Sequence, residues 1–229
     1  MRPRNVVRPA AAGALCFAFT AASADSALAQ TDTPPSMPNP FASPAAEPRI
    51  AVRHLKLNVL AGKRTRVKGT VKPRVAGITV SLQVRRGSRW KPIDRDRTDA
   101  AGRYKLRERV RRTGTTKVRV RVARGHGVAS GKRVLGRLNV FRYAYASWYG
   151  PGLYGNPLGC GGTLGVGTLG VAHKTLPCGT NVTLRRGRRT VRVRVIDRGP
   201  YVAGREYDLT AATAQRLGFY GTGSVLVTR

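Results

Sequence analysis

Apolar and polar positions alternate most cleanly in V-R-V-R-V-I-D-R-G-P-Y, residues 191–201. Val191, Val193 and Val195 share one strand face, with Arg192 and Arg194 on the other. Asp197 has the parity of the valines, and Gly199-Pro200 breaks the strand just beyond it. A straight strand would carry this carboxylate toward the apolar side, where burial raises proton affinity and makes a usable general acid. The plainer alternative is an Asp that hydrogen-bonds the backbone of its own turn. Upstream, Val67–Val71, Ile78–Val84, Tyr104–Leu106 and Val118–Val122 read as short strands between turn signals. T-D-A-A-G-R-Y, 98–104, is a turn, and Trp90 is expected as the large core anchor of a hairpin return. The one helical run is short, Ala211–Leu217, closed by Gly218, with Asp208 expected as its cap or as a turn brace.

These elements predict an all-β protein, and turns at regular spacing over 49–142 fit an immunoglobulin-like sandwich of about seven strands. The order G-T-V-K-P, strand, R-W, T-D-x-x-G-x-Y there also resembles immunoglobulin-like modules of secreted bacterial proteins. Residues 1–29 have the makings of a secretory signal: Arg2, Arg4 and Arg8, an apolar run over 10–22, then A-S-A and A-L-A cleavage patterns. The run is too short for a membrane span, and Cys16 lacks the Leu spacing of a lipoprotein box, so no stable membrane anchor is expected after cleavage. Residues 30–48 hold six of the fourteen prolines and read as a linker.

Charge changes the picture of partners. The 229 residues carry 43 Lys+Arg against 10 Asp+Glu, a net +33, and the 41% apolar content supports packed cores rather than a basic tail. Residues 49–142 hold 29 of the basic residues and four acids, Asp94, Asp96, Asp99 and Glu108. Such a surface attracts anions. With an export signal in front, anionic wall polymers are expected rather than nucleic acid.

Candidate chemistry concentrates in 143–229. Three ordered stretches there, A-S-W-Y-G-P-G, V-A-H-K-T-L-P-C-G-T, and V-I-D-R-G-P-Y followed by Y-D-L-T-A-A-T-A-Q-R-L-G, together resemble the rare-lipoprotein-A family of double-psi β-barrels, which is related to expansins. The resemblance implies a six-stranded barrel acting as a peptidoglycan lytic transglycosylase on glycan strands. It implies Asp197 as the essential carboxylate, His173 as the second essential residue and Asp208 as a third acidic position. Trp148, Tyr149, Tyr154 and Tyr201 are candidates to stack on sugar faces. The region holds only three acids, Asp197, Glu206 and Asp208. A hydrolase usually sets two carboxylates across the bond, whereas a transglycosylase works with one. No cofactor is expected.

The family usually carries T-A-x-G-E ahead of the histidine. Here residues 155–170 read G-N-P-L-G-C-G-G-T-L-G-V-G-T-L-G, without an acid. That departure keeps open a non-catalytic, expansin-like binder of peptidoglycan. The charge keeps open a basic module retaining anionic wall polymer. Cys160 and Cys178 in an exported chain read as a disulfide. A zinc site from Cys160, His173 and Cys178 lacks a fourth ligand, and a Cys178 nucleophile is disfavoured by an oxidising compartment.

Overall fold

The computed structural model describes residues 44–229. The export signal, Cys16 and residues 30–43 of the linker lie outside the described residues. Strands are numbered along the chain. Antiparallel β1 (Arg49–Lys56), β3 (Arg64–Lys72) and β6 (Arg103–Arg109) form one sheet. Facing it, β5 (Arg89–Arg97), β4 (Thr79–Arg86), β7 (Gly114–Val122) and β8 (Gly131–Tyr149) pair in that order, with β2 (Asn58–Leu60) parallel to β8. Alternation drives this packing. On β3, Val67 and Val71 turn inward between charged neighbours, and with Tyr104 and Leu106 they meet Val80, Leu82, Val118 and Val120 of the other sheet in one core.

Trp90 departs from its expected place in that core. It is half-buried on β5, with the Arg119 guanidinium 4.3 Å from its ring centroid. A Trp at the end of a hairpin next to an arginine-rich strand keeps its ring face for the cation. The expected turn at 98–104 forms around the Asp99 carboxylate, which accepts from the N–H groups of Ala101 and Arg103. Asp94 and Asp96 also accept from backbone, from Arg107 and Lys105, so they tie β5 to β6 across the two sheets.

β8 is 19 residues long and continues without a break into a second set of strands. These are β9 (Val171–Ala172), β10 (Asn181–Arg186), β11 (Arg189–Asp197), β12 (Tyr207–Thr210) and β13 (Gly223–Val227). β8 pairs with β13, β13 with β10, β10 with β11, β11 with β9 and β9 with β12; β12 then returns to β8, closing a six-stranded barrel. Closure leaves no free sheet edge. Val182, Leu184, Val193, Val195, Tyr207, Leu209, Val225 and Val227 fill the interior. The helix α1 (Ala211–Leu217) packs against β11 and β12, and Gly218 ends it in the left-handed conformation at φ 67°. Its cap is Thr210, whose hydroxyl accepts from Thr213 N–H, not Asp208. Asp208 lies two residues too early and belongs to β12.

Candidate active site

Asp197 ends β11, where pairing with β9 slips by one residue between Val195 and Asp197. The irregularity frees the carboxylate from the strict alternation of the valines. Its Oδ1 accepts from the Gly159 N–H at 2.7 Å and from the Arg198 N–H at 2.8 Å. The turn role and the exposed carboxylate therefore coexist: one oxygen is anchored, and no protein donor reaches Oδ2.

The barrel brings two further polar groups beside it. Tyr149 ends β8 and Asp208 lies on β12, strands paired in parallel with Asp208 opposite Ser147. Burial, then the nearby Asp197 charge, pushes the Tyr149 phenol upward from its ordinary range. Burial likewise raises the Asp208 carboxyl above the usual carboxylate value, with the Asp197 charge adding to it against Ser147 and Arg205. The Tyr149 hydroxyl and Asp208 Oδ1 are both shut from solvent and have no hydrogen-bond partner. Two carboxylates this close cannot both ionise without cost, and the more buried one holds a proton more readily.

His173 follows β9 and is 9% exposed. Its Nδ1 accepts from the N–H groups of Thr175 and Leu176, at 3.1 and 3.0 Å. That assigns the proton of the neutral ring to Nε2, which lies 3.7 Å from Glu206 Oε1. Its ring meets Tyr207 edge-on at 4.8 Å. Burial keeps the imidazole below the ordinary histidine range despite Glu206. The side chain thus serves its turn and Glu206; its link to Asp197 is through backbone, His173 N–H to Asp197 O at 3.2 Å.

Sequence reasoning did not single out Glu206, Arg142 or Arg198. Arg142 grips both Glu206 oxygens, one at 2.8 Å, and holds that carboxyl below the usual range. Arg198 donates from Nη1 to the carbonyls of His173 and Leu176 at 3.1 and 2.8 Å, and from Nη2 to Cys178 Sγ at 2.8 Å. The available signal was position: Arg198 adjoins Asp197 and Glu206 adjoins β12. Cys160 and Cys178 are joined as a disulfide, so neither sulfur is a thiolate for zinc or for nucleophilic attack. Of the aromatic candidates, Trp148 packs partly against the barrel core, Tyr154 is 37% exposed and Tyr201 is 79% exposed. The exposed pair fits sugar stacking better than the half-buried Trp148 and Tyr149.

A closed six-stranded barrel with an Asp at a strand end defines a class, and comparison with known proteins names it. Residues 143–229 match the family model described as Lytic transglycolase. Curated relatives over the same region include the "Probable endolytic peptidoglycan transglycosylase RlpA" of Synechocystis sp., 44% identical over 81 residues, 34% of this chain and 25% of that protein. The "Endolytic peptidoglycan transglycosylase RlpA" of Campylobacter jejuni is 43% identical over 84 residues, 36% of this chain and 30% of that protein. That of Pseudomonas aeruginosa is 40% identical over 84 residues, 36% of this chain and 25% of that protein. The chain spans about a quarter to a third of the length of these relatives. Residues 143–229 belong to the RlpA-like family of double-psi β-barrels.

Proposed function

We propose that the protein is a secreted, cell-wall-associated lytic transglycosylase that cleaves peptidoglycan between MurNAc and GlcNAc without consuming water. The observation that carries this reading is the Asp197 carboxylate, held by two backbone N–H groups on Oδ1 with Oδ2 open. The names of the relatives support the reaction class. Protonated Asp197 gives its proton to the glycosidic oxygen as the bond to the muramyl anomeric carbon breaks. The carboxylate then takes the proton of the muramyl 6-hydroxyl as that oxygen bonds to the same carbon, leaving a 1,6-anhydro end and the acid restored. Asp208 Oδ1, out of contact with solvent, is poorly placed to activate a water across the bond, which is the second group hydrolysis would need. His173 acts as a positioning residue through its turn, and Tyr154 and Tyr201 stack on glycan.

Mass spectrometry of fragments from purified wall tests this. Wild type releases anhydro ends, and Asp197→Asn slows release by about 10²–10⁴-fold. Reducing ends would instead mean hydrolysis. No release from wild type would leave the expansin-like binding reading, which the acid-free loop at 155–170 favours. That reading expects pull-down on insoluble wall to survive Asp197→Ala.

The rest of the chain supports retention at the wall. Residues 1–29 are read as an export signal and 30–48 as a linker. Residues 49–142 are read as an immunoglobulin-like module, supported by two facing sheets with one shared core. A cleft of about 910 Å³ at the end of these sheets is rimmed by Arg85, Arg86, Arg109, Arg111, Arg112 and Arg229, with Glu108 beside them. Guanidinium forks suit phosphate or carboxylate groups of an anionic wall polymer. Wall binding should weaken by at least about tenfold between 50 and 500 mM salt. It should weaken likewise in Arg111→Ser/Arg112→Ser at low salt. Salt-independent sedimentation with wall would remove this role.

A further inference from the structure

The segment between β8 and β9 runs 21 residues without a regular element, longer than connections usually are unless they serve function. It reaches the site at one point. There Gly159 gives its N–H to Asp197 Oδ1. A side chain at 159 has no room. A Cβ would lie 2.9 Å from Arg198 Cγ, 3.0 Å from Asp197 Oδ1 and 3.1 Å from Arg198 N. The next residue is Cys160, whose N–H donates to Ile196 O at 3.2 Å and whose sulfur is bonded to Cys178. Cys178 accepts from Arg198, and Arg198 supplies the second N–H on Asp197 Oδ1.

These contacts form a closed circuit: Asp197 Oδ1, Gly159, Cys160, the disulfide, Cys178, Arg198, and Asp197 Oδ1 again. We propose that the stapled loop is the positioning device of the Asp197 carboxylate, with Gly159, the Cys160–Cys178 bridge and Arg198 as positioning residues that fix Oδ1 and present Oδ2 to the glycan. It rests on Asp197 being the acid/base. A small displacement of a reacting group costs up to about a hundredfold in rate, so the loop's role should be felt in turnover. It also makes activity depend on oxidation, since a free Cys160 leaves Gly159 held only by its own hydrogen bonds and that of Cys160 N–H.

The full chain is compared as oxidised wild type, reduced wild type, Cys160→Ser/Cys178→Ser, and Gly159→Ala with its bridge intact. Gly159 is outside the positive-φ set, so alanine tests the contact with Asp197 rather than the backbone conformation. Release of anhydro ends should fall about 10- to 100-fold in kcat with KM within about twofold, since the sugar-stacking tyrosines lie elsewhere. The Gly159 amide resonance should sit downfield and exchange slowly in oxidised wild type. It should lose both properties in reduced protein and in Asp197→Ala. Wild-type kcat in Gly159→Ala and in reduced protein would overturn the proposal, as would an amide signal indifferent to Asp197→Ala. If Asp197→Asn turns over like wild type while the amide signature still depends on Asp197, the acid/base reading has failed and only the structural contact survives.

Discussion

Asp208 is a carboxylate in an awkward position. Its Oδ1 is buried without a partner, and its neighbour is another acid. The folded protein therefore binds its proton more tightly than the unfolded chain, whose value is near 3.8. Stability falls as pH rises from about that value through the raised folded one, and above it the whole cost is present. Asp208→Asn should raise Tm near pH 7, by about 2 °C, a modest fraction of what single substitutions do. The gain should vanish below about pH 3.8. Glu206 works in the opposite direction. Arg142 lowers its folded value, so its contribution is present above about pH 4.5 and is lost as pH falls through the lower folded value. Thermal melts of Asp208→Asn and wild type across pH 3–8 check the sign; an equal difference at all pH would refute it.

The elements around the site are short and depend on side chains for their shape. β9 has two residues, and the turn after it is shaped by His173 Nδ1 accepting two N–H groups. His173→Ala leaves both donors to solvent or unpaired and should cost about 1–2 kcal/mol. His173→Asn keeps an acceptor near the Nδ1 position and should recover part of it, although Glu206 loses its Nε2–H neighbour. Urea denaturation separates the two, and equal loss in both variants would mean that Glu206, not the turn, is what His173 serves. Close approach also shapes this region. Gly170 admits the Ile196 side chain, since a Cβ would fall 2.2 Å from Ile196 Cδ1. The helix was readable from its run of small residues and its terminal glycine. Its cap was not, because Asp208 and Thr210 are both capping types. Barrel pairing chose between them by committing Asp208 to β12.

For the whole molecule, β8 is decisive. Its first half belongs to the sheet with β7 and β2, its second half to the barrel, and Thr115 and Thr183 hydroxyls meet at 3.2 Å across the two parts. Ser43–Arg229 forms one compact unit. Two hydrophobic clusters sharing a continuous strand should unfold together. Calorimetry of the full chain should show one transition for residues 44–229, with calorimetric and van't Hoff enthalpies equal; two resolved transitions would refute the coupling. The net charge of +33 works against this unit by self-repulsion.

The sequence by itself determined the strand faces, because alternation of Val with Arg leaves only one side that can be buried. It determined the barrel family through three ordered motifs, and it made the bridge expected, since an exported chain with two remaining cysteines favours pairing. Only the tertiary structure decided which polar groups meet. Arg142 and Glu206 lie far apart in the chain and join because β8 runs beside β13 and β12 in the closed barrel. Asp208 reaches Asp197 because β12 pairs with both β8 and β9, and Gly159 reaches it because the bridge folds a long irregular loop over the end of β11. Local pattern records which face of an element is buried; it carries no record of which element lies across the barrel, because that is set by ring closure and by loop geometry.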